Sequence, residues 1–314
     1  MNRFGCEQIP FLFIIDYEMR CPEIIPLCRV TEKNIYYDMN GFCNRISQFK
    51  KPAILLFNKY PSTYPRFKSA YDIVLENINL GNTYLLNLTF PSRIELNLNL
   101  EEIFVHSKAM YKLFYRDEFV VFSPETFIRI QKRTISSYPM KGTIDASIEN
   151  AAETLLNNKK EQAEHATIVD LIRNDLSQVA FDIEVKKYRY LEAIRTQEKT
   201  LLQTSSEITG TLPDDYKQRI GNIVFSLLPA GSISGAPKKR TLEIIKTAEN
   251  GSRGYYTGVF GYFDGKQLDS AVMIRYIEKK EGQLWYRSGG GITAFSTPET
   301  EYQEMIDKIY VPIY

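Results

Sequence analysis

Short apolar runs separated by Pro, Gly and Asn fill residues 1–60: FLFII at 11–15, NIYYDM at 34–39 and AILLF at 53–57. Such punctuation predicts strands in a meander. From Tyr64 to Leu80 the apolar positions shift to helical spacing, with Phe67, Ala70, Tyr71, Val74 and Ile78 on one face and a stop at Leu80-Gly81. Next come a predicted strand at 83–90, a predicted helix over 101–115, and two strands around the Ser-Pro turn of EFVVFSPETFIRI at 118–130. The pattern changes after Asp145. It predicts helices over 146–157 and 160–177, strands around 179–190 and 198–209, and a helix near 214–227. A glycine-rich turn at 229–236 leads into a helix from Pro237 to Glu249. Strands at 255–263, 268–278 and 283–288 and a Gly-Gly-Gly turn at 289–291 precede a last helix, with Thr297 as N-cap and Pro298 in its first position.

No repeat, low-complexity tract or linker interrupts this order. The economical reading is α+β: a single mixed, strand-rich domain in which residues 1–60 are a short strand-rich segment continuous with the core at 61–314. Composition agrees, since 44% hydrophobic and 25% charged residues in a chain of 314 describe a globular protein able to bury its own core. Lys+Arg is 39 and Asp+Glu 38, so a net charge of +1 offers no field for nucleic acid or an anionic membrane. FLFII is too short for a signal-peptide core, and no run approaches the ~18 apolar residues of a membrane span. The expectation is a cytoplasmic protein. Cys6, Cys21, Cys28 and Cys43 show no C-x-x-C spacing, and His106 and His165 lie far from them. Reduced thiols fit better than a zinc site or a disulfide framework.

Four constellations carry candidate chemistry. On a helix, Glu161, Glu164, His165 and Ile168 share a face, so two carboxylates project together. Glu301, Glu304 and Lys308 repeat the device near the C-terminus. Two such helices could hold Mg2+, which takes a few carboxylates plus waters and substrate oxygens; either pair alone reads more simply as a solvated helix face. PAGSISGAPK at 229–238 offers a helix N-terminus to an anion, or is only a tight turn with a Ser cap. Lys141, set among turn residues in YPMKGT, is an exposed loop lysine or a nucleophilic amine, the latter needing partial desolvation. The glycines of SGGGI at 288–292 would let backbone amides approach a ligand, or would merely bend the chain. No Cys–His arrangement or nucleophile elbow is visible.

Taken in order, seven blocks resemble the chorismate-utilising enzymes, which include anthranilate synthase component I, aminodeoxychorismate synthase component I, and the isochorismate and salicylate synthases. They are SPETF (123–127), PMKGT (139–143), EQAEHATIVDLIRNDL (161–176), PAGSISGAPKKRTLEII (229–245), RGYYTGVFGY (253–262), MIR (273–275) and SGGGITAFSTPETEYQEMIDK (288–308). The resemblance runs from about residue 60 to the end, and implies the α/β sandwich of the anthranilate synthase component I type, with chorismate as substrate. Lys141 stands where aminodeoxychorismate synthases have lysine and anthranilate synthases alanine. Leu85 stands where isochorismate and salicylate synthases carry a water-activating lysine. Gln203 replaces a histidine that anthranilate synthases link to pyruvate elimination.

The resemblance is therefore nearest to aminodeoxychorismate synthase component I, which makes 4-amino-4-deoxychorismate for 4-aminobenzoate and folate biosynthesis. Anthranilate synthase component I is the alternative enzyme, and an inactive chorismate-fold binding subunit the alternative of another class. Carried over by position, the resemblance implies Mg2+ on Glu164 and Glu304, with Glu161 and Glu301 supporting through waters. It makes Lys141 the nucleophile and Glu125 the general acid. Tyr256, Arg275, Lys308, Thr143, Ser234 and the amides near Gly290 and Gly291 become substrate contacts. A partner glutamine amidotransferase would supply ammonia.

Overall fold

The computed structural model describes residues 1–45, 49, 54–195 and 200–313. The strand Phe11–Ile15 shows how the layers are stacked. All five of its side chains are fully buried. Phe11, Phe13 and Ile15 face Val169, Ile172 and Leu176 of the helix Lys159–Ser177 and Ile220 and Val224 of the helix Ile220–Ser226. Leu12 and Ile14 face the other way, onto Ile35, Tyr111, Leu113 and Val121 of a second sheet. A strand covered on both faces has no polar alternation to show, hence the unbroken apolar run. Each such side chain contributes roughly 1.5–3 kcal/mol on burial.

The described residues form two nine-stranded sheets packed face to face. The first runs, by neighbours, Met140–Asp145, Thr200–Thr211, Thr134–Ser137, Thr126–Gln131, Leu268–Val272, Val259–Phe263, Phe11–Ile15 and Glu23–Pro26, with Phe181–Arg195 also paired to Thr200–Thr211. The second runs Gly235–Ala236, Leu85–Leu96, Gln283–Ile292, Tyr276–Lys280, Phe119–Ser123, Tyr111–Tyr115, Ile35–Met39 and Phe42–Cys43, with Phe57–Tyr60 beside Leu85–Leu96. The outer face of this second sheet carries the helix Leu100–His106 and, over Leu86, Leu88 and Ile292, the helices Tyr64–Asn79, Lys238–Glu249 and Pro298–Asp307. The result is a helix–sheet–sheet–helix sandwich of mixed α/β class. Among the described residues no helix is long and apolar enough to cross a membrane. Cys6, Cys21, Cys28 and Cys43 are exposed and unpaired.

Several elements depart from the sequence expectation. The helix expected over 101–115 ends at His106, and Tyr111–Tyr115 is a strand between Ile35–Met39 and Phe119–Ser123. Its apolar density suits either state, and cross-strand pairing decides. Of AILLF, Ile54 and Leu56 are exposed and the strand begins at Phe57, while Ala53 lies outside the described residues. The strand expected over 268–278 breaks in two around Arg275, which takes a left-handed φ of 53°. The expected Gly-Gly-Gly turn is strand: Gly289, Gly290 and Gly291 pair with Thr89, Leu88 and Asn87. A Cβ on Gly289 would sit 2.1 Å from the Leu88 carbonyl oxygen, so closeness to the neighbouring strand demands glycine there.

Candidate active site

The two carboxylate-bearing helices and the strand Met140–Asp145 converge on the glycine stretch of Gln283–Ile292. Asn158 caps the helix Lys159–Ser177 by accepting from the Glu161 amide at 3.2 Å. One turn on, Glu164 is buried, and its Oε2 lies 3.6 Å from the Lys141 ammonium. Lys141 sits at a bulge in its strand, where the register against Thr200–Thr211 shifts between Lys141 and Thr143. Bulges re-aim side chains. Gly142 makes the bulge possible, with φ +75° and a Cβ position only 2.9 Å from Glu161 Oε2.

The last helix supplies the opposite wall. Glu301 is buried and accepts from the Ser296 hydroxyl at 2.6 Å. Glu304 pairs with Lys308 at 2.6 Å, and Lys308 also donates to the Gly289 carbonyl at 2.9 Å. The floor is glycine. A Cβ on Gly290 would meet Glu304 Oε1 at 3.3 Å and Glu301 Oε2 at 3.4 Å, and one on Gly291 would meet Leu85 Cδ1 and Lys141 Nζ, each at 3.0 Å. The structure thus brings together Lys141, Glu161, Glu164, Glu301, Glu304, Lys308, Gly290 and Gly291.

Glu125 stands between the strands Phe119–Ser123 and Thr126–Gln131, where its amide donates to Ser123 Oγ and its carbonyl accepts from Val272. Ser232 donates its hydroxyl to Glu125 Oε1. Burial pushes the Glu125 carboxyl above its ordinary range, against the pull of Ser232, Lys141, Arg275 and Lys308. A raised carboxyl is one that keeps a proton to give. Burial likewise raises Glu164 and Glu301. Burial works against the charge on Glu304 too, but Lys308, Lys141 and Lys160 bring it below its ordinary range. Arg275 donates to the Tyr310 hydroxyl at 3.1 Å, and Tyr256 is buried.

Other expected contacts lie apart. Ser234 is fully buried and donates to the Ala230 carbonyl at 3.0 Å, closing its own turn. Thr143 is exposed. Nor does the glycine-rich loop present an open anion cradle: Lys238 is held by Asp175 at 2.8 Å, and Gly235 lets the loop pair with Leu86. Three residues escaped the sequence reading. Lys160 reaches Glu301 at 3.4 Å and Glu164 at 3.8 Å, a pairing its i,i+4 spacing to Glu164 signals in part. Ser232 holds Glu125. Arg253 is fully buried and ties the loop to the second sheet.

His165, next to Glu164, is fully buried, with Nε2 2.7 Å from the Ser206 hydroxyl. Burial, with Arg189 and Lys141 adding to it, lowers its pKa from 6.5 to about 4. The unfolded chain therefore binds the extra proton first. Stability is complete above about pH 6.5 and falls through the window down to about pH 4, by a total on the order of 3 kcal/mol. We expect urea unfolding midpoints to drop from pH 7 to pH 5, and to drop less in His165→Asn than in the parent. An equal drop in both proteins would remove His165 as the cause.

The sequence profile of the chorismate binding enzymes matches residues 47–313. The chain belongs to this family. As a chorismate-binding protein it is 49% identical over 312 residues to an uncharacterised PabA-like protein of Haemophilus influenzae, covering 99% of this chain and 95% of that one. It is 37% identical over 196 residues to aminodeoxychorismate synthase component 1 of Salmonella typhimurium, which spans 60% of this chain and 42% of that protein. Anthranilate synthase component 1 of Archaeoglobus fulgidus is 35% identical over 76% of this chain and 56% of its own length. In fold it is similar to the menaquinone-specific isochorismate synthase of Escherichia coli, with TM-score 0.75, 16% identity, and coverage of 98% of this chain and 78% of that one.

Proposed function

We propose that this chorismate-binding enzyme converts chorismate and ammonia to 4-amino-4-deoxychorismate, as aminodeoxychorismate synthase component I does. The observation that carries this reading is Lys141 itself. Its ammonium lies in the carboxylate cleft, beside the glycine floor and the apolar Leu85 side chain, rather than in solvent. Leu85 is buried, so the position that would supply a water-activating lysine gives an apolar wall instead.

In the proposed sequence the Lys141 ammonium first gives a proton to solvent; the free amine then attacks C2 of the ring, the double bond shifts, and the C4–oxygen bond breaks. Glu125 gives its proton to the departing hydroxyl, which leaves as water. Ammonia then adds at C4, the double bond shifts back, and the C2–nitrogen bond to Lys141 breaks. The surplus ammonia proton returns to the Glu125 carboxylate and the freed Lys141 amine regains its proton from solvent, so both residues end as they began. Arg275, Lys308 and Tyr256 bind and orient the substrate carboxylates.

Mg2+ belongs to this proposal. Among the described residues no three acidic or imidazole side chains meet as a ready metal site. The donor chemistry nevertheless fits, because carboxylates from two facing helices already share a cation, the Lys160 ammonium. Glu164 and Glu304, with Glu161 and Glu301, would hold the ion, which when bound would neutralise and clamp a substrate carboxylate.

Ammonia would come from a separate glutamine amidotransferase. We expect the purified chain, mixed with chorismate, Mg2+ and an ammonium salt at alkaline pH, to yield 4-amino-4-deoxychorismate by chromatography, and to yield nothing from glutamine. Anthranilate as the sole product would establish the alternative enzyme, and no turnover under any of these conditions would favour a binding subunit.

A further inference from the structure

Three of the four carboxylates that this cleft offers to a metal have a basic neighbour on another turn or another element. Glu164 lies between Lys141 at 3.6 Å and Lys160 at 3.8 Å, Glu301 takes Lys160 at 3.4 Å, and Glu304 takes Lys308 at 2.6 Å. Lys160 differs from the other two. Lys141 faces the glycine floor and Lys308 is fixed to the Gly289 carbonyl, whereas Lys160 bridges carboxylates from both helices and is about one-third exposed. Its stem leaves the first turn of the helix Lys159–Ser177, so a rotamer change returns the ammonium to water without moving the backbone.

Charge arithmetic gives that bridge a consequence. The ion pairs of the cleft set Lys141, Lys160 and Lys308 against Glu164, Glu301 and Glu304, three charges of each sign. A divalent cation entering alone would leave two uncompensated positive charges in a partly desolvated cleft, a costly state. A divalent cation entering with a dicarboxylate dianion keeps the balance.

We propose that Lys160 is a resident counter-ion that competes with the divalent cation for Glu164 and Glu301, so that Mg2+ binds well only together with a dicarboxylate substrate. The inference rests on the metal assignment above and adds the residue that controls it. Removing the ammonium leaves the cleft one charge negative and its carboxylates open to the ion.

The test is isothermal titration calorimetry with Mg2+ alone on the full chain. Lys160→Met should bind Mg2+ at least tenfold more tightly than the parent in the absence of chorismate. Adding Glu164→Gln to Lys160→Met should abolish that gain. Lys160→Gln, which keeps a polar tip, should show the same tightening and serves if the methionine variant misfolds. Equal or weaker Mg2+ binding in folded Lys160 variants would overturn the role of Lys160. If the parent took up no Mg2+ even with chorismate present in ammonia-free buffer, the metal assignment itself would fall, and this proposal with it.

Discussion

Lys141→Ala should lose turnover to the 4-amino product by on the order of 10³-fold or more, the scale seen when a covalent nucleophile is deleted. The fold should survive, because what the side chain contributes to stability is small. Among the described residues its one ion pair, to Glu164, is long at 3.6 Å and opens onto the cleft. The strand is held instead by its backbone, through pairing with Thr200–Thr211 and the Thr204 hydroxyl donated to the Lys141 carbonyl. Lys141→Arg should not rescue activity, since a guanidinium stays protonated and has no lone pair to give. Product chromatography alongside a thermal melt checks both halves. Turnover near the parent level in Lys141→Ala would return this lysine to an ordinary cleft residue.

Arg253→Met should cost about 3–5 kcal/mol of stability, the usual penalty for breaking a buried ion pair by removing one partner. Arg253 is 1% exposed and grips Glu249 with two nitrogens, at 2.5 and 2.9 Å. It also donates to the Ile233 carbonyl at 3.0 Å and the Asn87 carbonyl at 2.7 Å. The Glu249 carboxylate in turn accepts from the Thr89 amide and hydroxyl, both at 2.9 Å. Truncation takes the cation from the Glu249 carboxylate and a donor from each of two carbonyls at once. The same grip holds the loop bearing Ser232 against the strand bearing Leu85, so activity should fall with stability. Urea unfolding at neutral pH measures the loss, and a change below about 1 kcal/mol would show that the network ties nothing together.

What the sequence disclosed depended on how local the deciding force is. The helices Tyr64–Asn79, Lys159–Ser177, Lys238–Glu249 and Pro298–Asp307 announce themselves because each has an apolar stripe and its own stop or start residues. Tyr111–Tyr115 does not, because one partner, Ile35–Met39, lies more than seventy residues upstream, and the turn to the other, Phe119–Ser123, places Arg116 and Asp117 at left-handed φ with no glycine to mark it. Gly289–Gly291 mislead for a related reason: glycine there answers crowding from the strand bearing Leu88, from the glutamates of the last helix, and from Leu85 and Lys141, which no local pattern records. The site follows the same division. The i,i+3 glutamate pairs are legible as one helix face each, and ordered blocks locate Lys141 and Glu125. That Lys160 would span two helices, that Ser232 would hold Glu125, and that Ser234 would spend its hydroxyl on Ala230 are facts of tertiary contact.

The central claim is a covalent bond between Lys141 and the substrate ring, and intact-protein mass spectrometry reads it directly. Chorismate and Mg2+ are added to the parent chain in ammonia-free buffer, so that the second half of the reaction has no nucleophile. The account predicts a mass gain of one chorismate less one water, mapping on digestion to the peptide that contains Lys141 and absent from Lys141→Ala. Full 4-amino turnover on adding ammonia, with no adduct ever trapped and an unmodified Lys141 peptide throughout, would contradict it.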